Sequence, residues 1–232
     1  MHRARWAAGL TAAAAMALAV IPQTTAAAIT PPTVAVIGDS FTAAWTGTNP
    51  TTTSTPWYQY TASDLGWHVG NVIADPGAGF LTPGWYGTIA QALTAHPIAA
   101  NTNYVLLQAG LNDNNVSDPN AIDAAMANVL SIIRLQAPNA VPIVIGSFDP
   151  IPSGNYGPQE IPVARHIGDA QSIGSTRYTI ALMCTFEVSA DGTHPTARGH
   201  QQIGDWVAWH IAHGLDNGTP LHQDPTGSFY TV

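Results

Sequence analysis

Five short apolar runs punctuate the chain, at 33–37, 68–73, 104–109, 141–147 and 178–183. Each is rich in Val and Ile and is bounded by Gly, Pro, Asn or Asp. The runs are near-continuous rather than alternating, the pattern of strands buried on both faces of a parallel sheet. Between them the spacing turns helical. Residues 55–65 read as a helix with Ser54 as its N-cap and Pro56 in its first turn. A second helix is expected over 88–95, stopped by Pro97. The most regular pattern covers 119–136. There Asp118 caps, Pro119 takes the first position, and Ile122, Met126, Val129, Leu130 and Ile133 form an apolar stripe. Residues 161–173 are a less regular helical segment. Residues 196–213 form the last, with Ile203, Trp206, Val207 and Ile211 on one side. Strands alternating with helices predict an α/β layered domain around a parallel sheet. No internal repeat and no linker divides the pattern. Residues 42–54 read as a long loop, and 215–232 carry turn residues without an assignable period.

The N-terminus follows a different rule. His2, Arg3 and Arg5 precede an uncharged run from Trp6 to Ile21, which Pro22 ends and small residues follow. That is the layout of a secretory signal peptide, with cleavage expected after Ala28. The apolar run is shorter than the roughly 20 residues that cross a bilayer, and an uncleaved anchor is the competing reading. With no Cys after the run, a lipoprotein anchor is excluded. The expected organisation is therefore a signal over 1–28 and one domain over 29–232. The expected destination is outside the cell or at the cell wall, with no stable membrane span after cleavage.

Composition narrows the partners. The 232 residues carry a net charge of −8, and all basic residues are Arg. No basic face exists to neutralise phosphates, which argues against nucleic acid as a partner. Only 9% of residues are charged, while 46% are hydrophobic, which excludes a disordered acidic chain. The lone Cys184 cannot form an internal disulfide, and a monomer is expected.

Ligands of open parallel sheets sit beyond the carboxyl ends of the strands. Gly38-Asp39-Ser40-Phe41 follows the first run, and Asp75-Pro76-Gly77-Ala78-Gly79-Phe80 the second. Gly110-Leu111-Asn112-Asp113 follows the third, and Phe148-Asp149-Pro150 the fourth. Asp191-Gly192-Thr193-His194-Pro195 lies after the fifth and before the last helix. A hydroxyl, a glycine loop, a carboxamide and an Asp/His pair thus fall on one rim. That is the inventory for acyl transfer: nucleophile, base, orienter of the base and oxyanion donors. Asp191 can accept from His194 Nδ1–H, leaving Nε2 to take the Ser40 proton. Gly77 lets its own N–H approach a substrate, with Gly79 as the fallback, and Asn112 offers an amide donor. Asp39 and Asp113 read as structural, tying their loops through backbone N–H groups. The chain lacks a Gly-x-Ser-x-Gly elbow, a His-Glu-x-x-His pair and paired cysteines.

These blocks resemble those of the SGNH hydrolases, the GDSL esterase/lipase family. Gly38-Asp39-Ser40 is similar to the first block, with Phe41 where that family's naming pattern has Leu. Gly77, Gly110-x-Asn112-Asp113 and Asp191-x-x-His194-Pro195 are similar to the blocks that follow. The resemblance implies a flavodoxin-like three-layer α/β/α sandwich with a five-stranded parallel sheet. It implies a carboxylic ester hydrolase with Ser40, His194 and Asp191 as triad. Ser40, Gly77 and Asn112 would form the oxyanion hole, without metal or cofactor. The expected activity is a secreted serine esterase acting on short-chain acyl or lipid esters. A polysaccharide O-acetylesterase, a catalytically inert carbohydrate-binding protein and an acyltransferase are the alternatives.

The remaining candidates are minor. His200, His210 and His213 fall on or near the last helix, where surface or partly buried positions are expected. Asn115-Val116-Ser117 matches a glycosylation sequon. Trp45, Trp57, Tyr58, Phe80, Trp85 and Tyr86 lie in or near the first two site loops. They could stack a sugar, wall an acyl chain, or simply pack the loops.

Overall fold

A computed structural model describes residues 30–44, 54–113, 115–116, 118–145, 178–180, 186–217, 221–223 and 229–231. The sequence expectations for 1–28, Trp45, Ser117, 161–173, Asp149 and Cys184 fall outside these residues. Four strands pair in parallel: β1 (Thr33–Gly38), β2 (His68–Ala74), β3 (Tyr104–Gln108) and β4 (Val141–Ile145), in the spatial order β2-β1-β3-β4. The short β5 (Tyr178–Ile180) lies parallel beyond β4. Gly38 is level with Ala74 on one side and Gln108 on the other, and Gln108 with Ile145. The carboxyl ends of the strands therefore make one rim.

The three strands β1, β3 and β4 are buried after their first residue, as the apolar runs predict. β2 departs from that expectation. It is the edge of the sheet, and its residues from His68 to Val72 are exposed or half-buried. Gly70 and Asn71 interrupt its apolar run, and an edge strand does not need both faces covered.

Alternate residues of a strand point to opposite faces, which splits the core in two. Ala35, Ile37, Val105, Leu107 and Val144 pack with residues of α2 (Ile89–Ala95) and α3 (Pro119–Gln136). Val34, Val36, Leu106, Ile143 and Ile145 pack with residues of α1 (Trp57–Leu65) and α4 (Ala197–Asn217). The predicted stripe of α3 is buried at every position, and the Asp118 side chain accepts from the Asn120 N–H at its start. Thr88 and Gln91 form a capping box on α2, a reciprocal side-chain-to-backbone pair. α1 and α4 meet at close range, with Thr61 Oγ1 donating to the Gly204 carbonyl at 3.0 Å. A Cβ at Gly204 would lie 2.5 Å from the Trp57 carbonyl, so only glycine permits that approach.

Two boundaries move by more than one residue from expectation. α1 begins at Trp57 rather than at residue 55, with Pro56 in extended backbone as N-cap and no side-chain cap. A proline drives the residue before it out of the helical region, so Thr55 cannot join and Ser54 cannot cap. α4 runs on to Asn217. Along it, His200 and His210 are buried, deeper than the surface or partly buried positions expected. The tail holds a short antiparallel pair, β6 (Leu221–Gln223) with β7 (Phe229–Thr231). Among the described residues no helix is long and apolar enough to cross a membrane.

Candidate active site

Ser40 sits in the turn that leaves β1, and Asp39 shapes that turn. Asp39 Oδ1 accepts from the Phe41 N–H at 3.0 Å, and its carbonyl accepts from the Ala43 N–H at 3.0 Å. Gln108, the last residue of β3, donates to Asp39 Oδ2 at 3.3 Å and accepts from Thr42 Oγ1 at 3.1 Å. A side chain at Gly38 would collide with Thr42, so the turn folds directly over the strand end. Asp39 is fully buried. Burial pushes its carboxyl up to about 7, the Phe41 N–H and Gln108 pull it back, and the charge of Asp113 adds to the rise.

Asp191 and His194 come from a tight loop between β5 and α4. The loop is closed at its neck by a bridge between Val188 and Pro195 and by the Ser189 N–H donating to the His194 carbonyl at 2.7 Å. Gly192 turns with φ 72°, a left-handed conformation that glycine adopts freely. Asp191 Oδ1 accepts from the Ser189 hydroxyl at 2.6 Å and from the N–H groups of Thr193 and His194 at 3.0 Å each. Asp191 Oδ2 meets His194 Nδ1 at 2.6 Å, and His194 Nε2 meets Ser40 Oγ at 2.9 Å. Partial burial raises the Asp191 carboxyl. The hydrogen bonds from Ser189, His194 and the two N–H groups outweigh it and hold the group well below the usual carboxylate range. Behind the imidazole lies the buried Phe41 ring, centroid to centroid 5.4 Å, which is itself edge-on to Phe186. The structure thus brings Ser40, His194 and Asp191 into one hydrogen-bonded chain across 154 residues of sequence.

Gly77 and Asn112 line the same groove as Ser40 and His194, a space of about 360 Å³ that also touches Pro76, Pro83, Gly84, Trp85, Leu111 and Thr193. Gly77 has φ 82°, and a Cβ there would meet nothing closer than 3.6 Å. Glycine is needed at this point for its left-handed backbone, not for lack of room. Gly79 cannot be the fallback donor: its N–H is spent on the Thr82 carbonyl at 2.8 Å. The Asn112 amide donates to the Ala78 carbonyl at 2.9 Å and reaches Asp39 Oδ2 at 3.5 Å, the outer limit of a hydrogen bond.

The sequence reading assigned no role to three neighbours of this site. Asp113 accepts from the N–H groups of Phe80, Leu81 and Thr82 at 2.7, 3.1 and 2.9 Å, which matches the tying role expected of it. Asp75 does the same for the other half of that loop, accepting from Trp85 at 2.8 Å and from Tyr86. Asp75, Gln108 and Ser189 were the ones missed. The position of Asp75 directly after β2, before Pro-Gly, was the available signal. Gln108 and Ser189 had none, since a polar residue at a strand end or before a turn is ordinary.

No model of a known protein family matches the chain. A GDSL lipase of Mycobacterium tuberculosis is 26% identical over 189 residues, which are 75% of this chain and 79% of that protein. A family two carbohydrate esterase from Clostridium thermocellum, solved in complex with cellohexaose, superposes with a TM-score of 0.58 at 19% identity over 82% of this chain. An acetyl xylan esterase from the rumen bacterium Butyrivibrio proteoclasticus gives 0.60 at 16% identity over 80%. This chain spans about two thirds of the length of those two esterases, 67% and 64%, and at such identity the likeness is one of fold. Fold and relative together define a carboxylic ester hydrolase. The relative is a GDSL lipase, and the two solved esterases share the fold of this chain.

Proposed function

We propose that the protein is a secreted serine esterase that cleaves short acyl esters through an acyl-enzyme. The observation that carries this reading is the continuous contact Asp191–His194–Ser40, at 2.6 and 2.9 Å. In the first half-reaction Ser40 Oγ bonds to the acyl carbon while its proton passes to His194 Nε2. The alcohol oxygen then leaves with that proton, which breaks the ester. A water repeats the sequence in reverse and frees the acid. Asp191 fixes the imidazole tautomer and stabilises the imidazolium that forms. The Ser40 and Gly77 N–H groups and the Asn112 amide hold the oxyanion. The amide proton now directed at Asp39, over 3.5 Å, is the one an oxyanion would take, because its bond is the weaker of the two. The chemistry needs no cofactor.

The same proposal includes a signal peptide over 1–28, export, and a hydrolase domain over 29–232 that acts as a monomer. It also includes a complete sandwich of three layers, α/β/α, about five parallel strands. A polysaccharide O-acetylesterase is the second reading, favoured by the fold likeness to the cellohexaose-bound esterase and to the acetyl xylan esterase. Hydrolysis of p-nitrophenyl acetate tests the common mechanism. Ser40→Ala is expected to lose at least about 10³-fold in kcat. Wild-type turnover by that variant would sink the reading.

A further inference from the structure

The aromatic residues around the first two site loops divide sharply. Trp57, Tyr58 and Phe80 are buried and serve the core. Trp85 and Tyr86 are 61% and 66% exposed. Trp85 lines the groove that holds Ser40, Asn112 and His194.

The loop that carries Trp85 is not loosely attached. Asp75 and Asp113, both buried, accept hydrogen bonds from the N–H groups of Phe80, Leu81, Thr82, Trp85 and Tyr86. The Trp85 N–H also reaches the Pro76 carbonyl, and Gly84 donates to Gly87 at 2.7 Å. A Cβ at Gly84 would sit 2.5 Å from the Ala78 nitrogen, and one at Gly79 would collide with Asp113. The loop is folded against itself at contact distance, so Trp85 is presented to water by a fixed backbone. An indole buries large apolar area wherever it can, and a rigid loop that keeps one in solvent beside a nucleophile fits a ligand with a flat, partly apolar face.

We infer that Trp85 is the binding platform for a pyranose ring whose O-acyl group enters the groove toward Ser40. The inference rests on the serine-esterase reading above and names its substrate class as acylated polysaccharide. Two features favour a sugar over a fatty acyl chain or a lipid surface. The described lining of the groove offers Pro76, Pro83 and Leu111 as aliphatic surface, interrupted by Gly77, Gly84, Asn112 and Thr193. That lining gives a long acyl chain a broken wall. The chain also contains no Lys and has a net charge of −8, which opposes adsorption to anionic lipid.

The test compares substrates in one variant. With wild type and Trp85→Ala, kcat/KM is measured on acetylated xylan, p-nitrophenyl acetate and p-nitrophenyl octanoate. The expected result is a loss on acetylated xylan at least ten times larger than the loss on p-nitrophenyl acetate, seated mainly in KM, with Trp85→Tyr recovering most of it. Equal losses on all substrates, or a loss concentrated on the octanoate, overturn the platform. Binding supplies a second arm independent of turnover. Ser40→Ala is expected to be retarded in native gels containing acetylated xylan, and Ser40→Ala with Trp85→Ala is not. Equal retardation, or Trp85-dependent sedimentation with phosphatidylcholine vesicles in place of retardation, overturns the assignment. If wild type cleaves none of the esters, the serine-esterase reading itself fails, and the gel result still judges the platform.

Discussion

Asp191 and Asp39 stand at the two ends of the Ser40 hydrogen-bond environment, and their surroundings push them in opposite directions. The Asp191 side chain is 27% exposed and accepts from the Ser189 hydroxyl, two backbone N–H groups and the His194 ring. Its donors outweigh its burial, so it stays ionised far into acid. Asp39 is fully buried, has the Phe41 N–H and two long amide contacts, and faces the charge of Asp113. Burial wins there, and its carboxyl is raised to about 7. The same side chain is thus held as a carboxylate beside the His194 imidazole and has its ionisation disfavoured beneath Ser40. Burial raises each carboxyl and donors lower it, and the balance between the two decides which.

The comparison breaks most visibly through Asp191. Asp191→Asn is expected to lower kcat on p-nitrophenyl acetate by about 10⁴-fold, because an amide leaves His194 in the wrong tautomer. A loss below about tenfold would show that the exposed carboxylate does not orient the base.

Asp39→Asn is expected to cost far less, about tenfold in kcat, through small shifts of Asn112 and the Ser40 turn. Its distinctive effect is on stability. The folded-state pKa of Asp39 lies above the unfolded value of 3.8, so its contribution is full below that value and is lost as pH rises through about 7. Denaturant unfolding of wild type should therefore weaken between pH 4 and 7 from this group, and Asp39→Asn should flatten that part of the profile. An unchanged slope would mean that burial does not raise the Asp39 carboxyl in the folded protein.

Ser189→Ala is the mildest of the three, with about a threefold loss of kcat expected from one donor removed of several. Asp191 has a folded pKa below its unfolded one, so it stabilises above pH 3.8 and loses that contribution as pH falls. Without Ser189 the depression shrinks, and acid unfolding below pH 4 should begin at a higher pH. Superimposable acid-unfolding curves would remove Ser189 from the set of groups that hold Asp191.

Much of the fold was legible because its signals are local. The apolar runs located β1, β3 and β4, and the stripe with Asp118 and Pro119 gave α3 its bounds from Pro119 to Gln136. The same periodicity could not show that β2 lies at the edge, since strand order depends on crossovers rather than on the strand itself. It placed His200 and His210 too near the surface, because helical spacing does not say how deeply a neighbouring helix covers a face.

By itself the sequence determined the order of strands and helices and located Ser40, Asp191 and His194 in the segments that follow strands. Asp191 and His194 are three residues apart, so their pairing was available from a single turn. Only the tertiary structure decided that His194 reaches Ser40, which is 154 residues away, and that five N–H groups of the second loop close on Asp75 and Asp113. It alone separated buried Trp57 and Phe80 from exposed Trp85. Local chemistry is written in neighbouring side chains, whereas burial and the meeting of distant loops are set by how layers pack on a sheet.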